Sequence, residues 1–184
     1  MVKPSFSSID KPMTDPVLRQ QRRMSRWMYA LMWLGILFLL SLFFGDYLQE
    51  QYNPNQNLQL ERVNGQQQVI LQRNRQGHYI ASGTIEGQPV VFLLDTGATD
   101  VAIPERIAKE LGLTFGRASQ VNTANGMTRT FETVLSSVSL GGITQYQVPA
   151  VIAPGFVSDA VLLGMSFLKN VEFTQRGDTL IIRL

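Results

Sequence analysis

The residues best suited to chemistry in this chain stand together as Asp95-Thr96-Gly97-Ala98-Thr99, directly after the apolar run Val-Val-Phe-Leu-Leu at 90–94. A carboxylate at the tip of a buried strand is held rigidly while still facing a cleft, and a glycine two residues on lets the backbone turn tightly and approach closely. Two such carboxylates about 3 Å apart resist ionising together and share a proton, so one residue type can both activate water and protonate a carbonyl oxygen. Composition closes off several other chemistries. The chain has no cysteine, which removes thiol nucleophiles, disulfides and thiolate metal sites, and its single histidine, His78, cannot build a multi-histidine zinc site. His78 lies in a β-rich stretch and is read as structural.

The pI of about 9.1 invites a nucleic-acid reading, but the charge is uneven. Six of the 16 basic residues fall by Arg26 against Asp10 and Asp15, leaving ten basic and twelve acidic residues for the remainder. Beyond residue 30 no basic cluster of the kind a phosphate backbone needs occurs, so no nucleic-acid partner is expected. From Trp27 to Phe44 runs an uncharged apolar segment of transmembrane length. Arg19, Arg22, Arg23 and Arg26 precede it while Asp46 and Glu50 follow, which predicts an anchor with its N-terminus in the cytoplasm and the rest of the chain across the membrane. The competing reading is a cleaved signal peptide, but Phe43-Phe44-Gly45-Asp46 does not look like its small-residue exit site.

Around the Asp95 motif, short β-rich stretches alternate with turn signals, as in an all-β domain. Strands are expected at Gln68–Arg73, His78–Ile85, Pro89–Leu94, Val121–Thr123, Met127–Val134, Val138–Leu140, Ile143–Ile152, Val171–Gln175 and Leu180–Leu184. The almost wholly apolar stretch before Asp95 is expected to be buried on both faces. Ala124-Asn125-Gly126 marks a hairpin, because Asn and Gly tolerate positive φ. Helices are expected at Pro104–Leu111, with proline first and Gly112 just past its end, and at Met165–Lys169. The organisation is then a basic tail (1–26), a transmembrane helix (27–44), a polar linker (45–67) and one β domain (68–184).

With its apolar strand, its Ala-Thr continuation, the hairpin and Val161-Leu162-Leu163-Gly164 in that order, the chain resembles the retropepsin-like aspartic peptidases, and more narrowly their small membrane-anchored bacterial members. The resemblance implies an all-β, single-lobe barrel with one or two short helices and a metal-free, cofactor-free endopeptidase acting on peptide or protein. It implies Asp95 as the catalytic carboxylate, with Thr96, Gly97, Ala98 and Thr99 as its loop. The Thr96 hydroxyl would tie two active-site loops together across a dimer, and that of Thr99 would hydrogen-bond the carboxylate. Ala124, Asn125 and Gly126 become a flap over substrate; Leu162, Leu163 and Gly164 become scaffold behind the loop. A single Asp-Thr-Gly per chain requires a homodimer for a dyad, and the closing Leu-Ile-Ile-Arg-Leu is expected to pair with its mate there. The implied location is the inner (plasma) membrane, with the β domain periplasmic or extracellular. The alternative reading of Asp95 is a turn-capping residue, and of the protein a non-catalytic binding module in the cell envelope.

Overall fold

The computed structural model describes residues 16–63, 65–123 and 126–184, and its first element is one helix, α1, over Pro16–Tyr52. Proline suits the first helical position because its missing N–H would have no partner there. The apolar part, Trp27–Tyr52, has 26 residues, and its most apolar 18-residue stretch has mean hydropathy 2.1 with none of it buried against protein. At 1.5 Å per residue it is about 39 Å long, more than the roughly 30 Å of a hydrocarbon core. The helix outruns the expected 27–44: a lone Gly45 costs only about 1 kcal/mol in a helix, too little to stop a strongly helical flank. The chain divides into two units between Asp46 and Tyr47, and the second carries the sheets.

In order follow β1 (Glu61–Val63), β2 (Gln66–Gln72), β3 (Ile80–Ile85), β4 (Gln88–Leu94), β5 (Val101–Pro104), α2 (Glu105–Glu110), β6 (Ala118–Thr123), β7 (Gly126–Leu140), β8 (Ile143–Ala153), β9 (Val161–Leu163), α3 (Met165–Leu168), β10 (Glu172–Arg176) and β11 (Thr179–Arg183). The larger sheet is ordered β3-β4-β9-β5-β8-β7-β6, and β3 also pairs with β7. Strands β3, β4, β9, β5, β8 and β7 therefore close into a ring, which removes their edges and encloses Phe92, Ile103, Leu135, Ile152 and Leu163. The smaller sheet, β1-β2-β11-β10, is antiparallel throughout. The architecture is the expected all-β barrel with short helices.

Local signals account for the turns. Glu86 and Gly87 both take positive φ, 51° and 78°, and join the paired Ile85 and Gln88 as a tight hairpin. Asn74 closes the next turn back by accepting from the amides of Gln76 and His78 at 3.0 and 2.9 Å. His78 itself is exposed, just ahead of β3.

Several expectations need correction. The strand before Asp95 is not buried on both faces: Phe92 is buried, while Val90, Val91, Leu93 and Leu94 are half-exposed. Strand β5 was not expected, and it places Pro104 at the cap of α2 rather than inside it. The two strands expected over 127–140 are one: pairing with β8 runs from Phe131 opposite Ile152 to Leu140 opposite Ile143, even though the alternation of buried positions shifts between Leu135 and Val138. The C-terminal strand is not free to pair with a mate: β11 lies between β2 and β10, with both edges taken.

The stretch expected as a polar linker is largely ordered against the sheets. Asn53 and Asn55 are each 4% exposed. The Asn55 amide donates to the carbonyls of Gln72 and Ile80 at 2.8 and 2.7 Å and accepts from the Gln72 amide at 2.6 Å, joining β2 to β3. Asn53 donates to the Ser82 hydroxyl, and Asn74 to the carbonyl of Tyr52 at the end of α1. The abundance of Asn in this segment thus serves backbone groups that no strand partner reaches. Asn55→Ala leaves three backbone partners unpaired, the Ile80 carbonyl among them buried, and is expected to destabilise the β unit by about 2–4 kcal/mol. The check is the urea midpoint of the detergent-solubilised chain beside exposed Asn57→Ala, and equal midpoints would contradict it.

Candidate active site

Asp95 is the first residue beyond β4, and its backbone is fastened from two sides. Leu94 donates to the Tyr79 carbonyl at 3.0 Å, and Asp95 donates to the Leu163 carbonyl at 3.2 Å. The latter extends the parallel pairing of β4 with β9, where Leu93 faces Leu162 and Leu94 faces Leu163. The side chain is half-buried, and one carboxylate oxygen accepts the Gly97 amide at 2.8 Å. A β-carbon on residue 97 would stand 3.2 Å from that oxygen, so glycine here keeps the carboxylate and its donor together. The peptide turns back on itself as the Ala98 amide donates to the Asp95 carbonyl at 3.3 Å.

The remainder of the loop is strapped to α3. The Met165 and Ser166 amides donate to the carbonyls of Ala98 and Thr99, each at 2.8 Å. The buried hydroxyl of Ser166 accepts the Val101 amide at 3.0 Å. Between these bonds sits Gly164, where any side chain would collide with the Asp100 carbonyl and come within 2.7 Å of that of Ala98. Leu163 is fully buried and Leu162 half-buried, so this segment forms the wall against which the Asp95 loop is built.

Asp95, Thr96, Gly97, Ala98 and Thr99 are thus brought together with Leu162, Leu163 and Gly164. The threonine hydroxyls are a different matter. Thr96 and Thr99 are exposed, and among the described residues neither hydroxyl makes a hydrogen bond, so Thr99 does not hold the carboxylate within one chain. Of the hairpin triad, Ala124 and Asn125 lie outside the described residues. Gly126 faces Thr123 at the end of the β6–β7 ladder with φ of 101°. Ser166 was not picked out from the sequence. Its signal was available as the one polar residue in Leu-Leu-Gly-Met-Ser-Phe-Leu, since a hydroxyl kept in an apolar run has a backbone partner to serve.

A recess of about 530 Å³ lies away from the carboxylate, lined by Pro104, Arg106, Lys109, Phe156, Val157 and Asp159 among others. Arg106 closes one side by bridging Glu110 at 2.8 Å and Asp159 at 2.7 Å. Its hydrogen bond to Glu110, and then that residue's charge, raise the affinity of the guanidinium for its proton. Residues 95–99 do not line this recess.

The chain matches a family model described as gag-polyprotein putative aspartyl protease over residues 81–170. It is 34% identical over 144 residues to an uncharacterized protein encoded in a cobV 5′ region of Sinorhizobium sp, the match covering 76% of this chain and 62% of that one. It is 29% identical over 120 residues to an uncharacterized protein of Rickettsia prowazekii (strain Madrid E), covering 62% of this chain and 51% of the other. It thus spans less than two thirds of the length of these relatives. Among solved structures it resembles the crystal structure of a retropepsin-like aspartic protease from Rickettsia conorii, with a TM-score of 0.54 and 31% identity, covering 63% of this chain and 89% of that one.

Gly164→Ala is expected to destabilise the fold by about 3 kcal/mol or more, because backbone oxygens cannot yield as a side chain can. Ser166→Ala, which only orphans the Val101 amide, should cost about 1–3 kcal/mol. Urea unfolding of both variants tests the order, and a Gly164→Ala midpoint at or above that of Ser166→Ala would overturn it.

Proposed function

This chain belongs to the retropepsin-like aspartic protease family, and from that premise we propose that it is a membrane-anchored aspartic endopeptidase whose dyad takes one Asp95 from each of two copies. The observation that carries this reading is how Asp95 is held: at a strand exit, half-buried, with one oxygen on the Gly97 amide and its loop hydrogen-bonded to α3. Rigid placement matters because proton transfer needs heavy atoms within hydrogen-bond reach, and a carboxylate on a loose loop would spend little time there. One chain supplies a single Asp-Thr-Gly, so the second carboxylate comes from a second copy.

In the dimer the pair holds one proton. The ionised Asp95 takes a proton from water as its oxygen attacks the scissile carbonyl carbon. The protonated partner gives its proton to the carbonyl oxygen. Collapse of the tetrahedral intermediate, with proton delivery to the amide nitrogen, breaks the C–N bond. In this reading the Thr96 hydroxyls, which are exposed, bond between copies, and the hairpin formed by β6 and β7 covers an extended peptide. The recess beside α2 is removed from this chemistry.

The arginines before the apolar helix and the acids after it favour a cytoplasmic N-terminus, with substrate met on the far side of the membrane. A reporter that works only when exported, fused after the β domain, should be active; cytoplasmic activity instead would reverse the topology.

Cleavage of a mixed peptide library by the detergent-solubilised chain, across acidic to neutral pH, is expected to fall by about 10²–10⁴-fold in Asp95→Asn. Cuts that survive the substitution would exclude the dyad. No cuts by either protein, with dimer present, would favour a binding module.

A further inference from the structure

The chain leaves almost no slack after its apolar run. Only the eight residues Gly45–Tyr52, all within α1, follow Phe44 before the chain joins the sheets. The boundary between the two units falls at Asp46 and Tyr47, so the last turn of α1 belongs to the unit that carries the sheets. There the Tyr52 carbonyl accepts the Asn74 side chain at 3.0 Å, and the Gln51 side chain accepts Arg75 at 3.2 Å.

Beyond the helix the grip tightens. The Asn53 side chain donates to the Ser82 hydroxyl at 2.9 Å, and the Ser82 amide donates to the Asn55 carbonyl at 3.1 Å. Asn55 pairs in parallel with Ala81, and its side chain reaches the Ile80 carbonyl at 2.7 Å. Leu58 packs against the core, and Leu60 lies where a β-carbon on Gly142 would meet it at 3.3 Å. A segment with its asparagines buried and bonded and its leucines packed cannot swing as a tether does.

The strand gripped in this way is β3, whose Ile80 stands opposite Leu93, two residues before Asp95. Eight helical residues rise about 12 Å, and each extended residue or step to a neighbouring strand adds only about 3–5 Å. Along this path Asp95 lies no more than about 40 Å from the end of the apolar run. An extended peptide covers that distance in roughly 12 residues.

We infer that the substrate is itself anchored in the same membrane and is cut in an extended segment within about 12 residues of the bilayer. The inference rests on the reading of this chain as a membrane-anchored endopeptidase, and it names the class of substrate. A long flexible tether would let the site sweep the space beyond the membrane and meet soluble chains. A clasped site meets what stands at its own height. A bond further out reaches the carboxylates only when its own chain loops back, and its effective concentration falls roughly as the −3/2 power of spacer length.

The test reconstitutes the full chain in lipid vesicles with a reporter: one apolar helix followed, on the side of the β unit, by a polar segment. A cleavage sequence selected from the mixed peptide library stands about 10 or about 40 residues from that helix, and the nearer site should be cut about eightfold faster. Insertion of about 30 Gly-Ser residues between Asp46 and Tyr47 leaves the clasp intact and frees its height, so the two rates should come within about twofold. Equal rates in the wild type, or a preference that survives the insertion, would overturn the inference. So would vesicles in which neither reporter is cut while the detergent-solubilised chain still cuts the library. Absence of cuts in both settings would instead defeat the proteolytic reading on which the inference rests.

Discussion

Everything at this site depends on a backbone-to-backbone contact. The loop that begins at Asp95 lies against Gly164 so closely that no β-carbon fits between them. Amides from Asp95, Met165 and Ser166 hold the loop carbonyls and the end of β9 in register. A carboxylate can be aimed by its own rotamer only if its backbone is already stationary. Here that stationarity comes from main-chain hydrogen bonds, which offer fewer alternative geometries than side-chain packing does. The Ser166 hydroxyl adds a further fastening by accepting the Val101 amide at the start of β5.

That contact is possible because the sheet closes. β4 and β9 run parallel, so their C-terminal ends leave the barrel together, and Asp95 and Gly164 emerge side by side although 69 residues separate them in the chain. Closure of β3 onto β7 keeps the ring from opening at that point. Buried Asn53, Asn55 and Asn74 perform a similar office between the two sheets, binding the segment after α1 to β2, β3 and the turn that joins them. A fully satisfied polar network of this kind is demanding of geometry, and it converts a stretch rich in Asn and Gln into part of the domain.

The smaller sheet carries the consequence for assembly. A C-terminal strand inserted between β2 and β10 is protected on both sides, and the open edge passes to the strand before it. The chain therefore completes internally a sheet that an exposed terminal strand would have left for a second copy. If copies share a membrane, their restriction to two dimensions raises the effective concentration at which they meet.

The sequence by itself determined what depends on near neighbours. Asp-Thr-Gly after an apolar run, helices α2 and α3 and the apolar helix are set by residue types within a few positions of one another, and these were legible. So was the all-β class, because alternation and turn spacing recur along the chain. Boundaries were less so: α1 runs past Gly45, and the one long β7 reads as two strands, since local punctuation is weaker than the packing that overrides it. Only the tertiary structure decided that Gly164 must be bare, that Ser166 serves Val101, that Asn55 joins two sheets and that β11 lies inside its sheet. Each of these depends on which backbone arrives opposite a residue from far along the chain. Hydrophobic periodicity specifies which face is buried and leaves the identity of the neighbour to the closure of the whole fold.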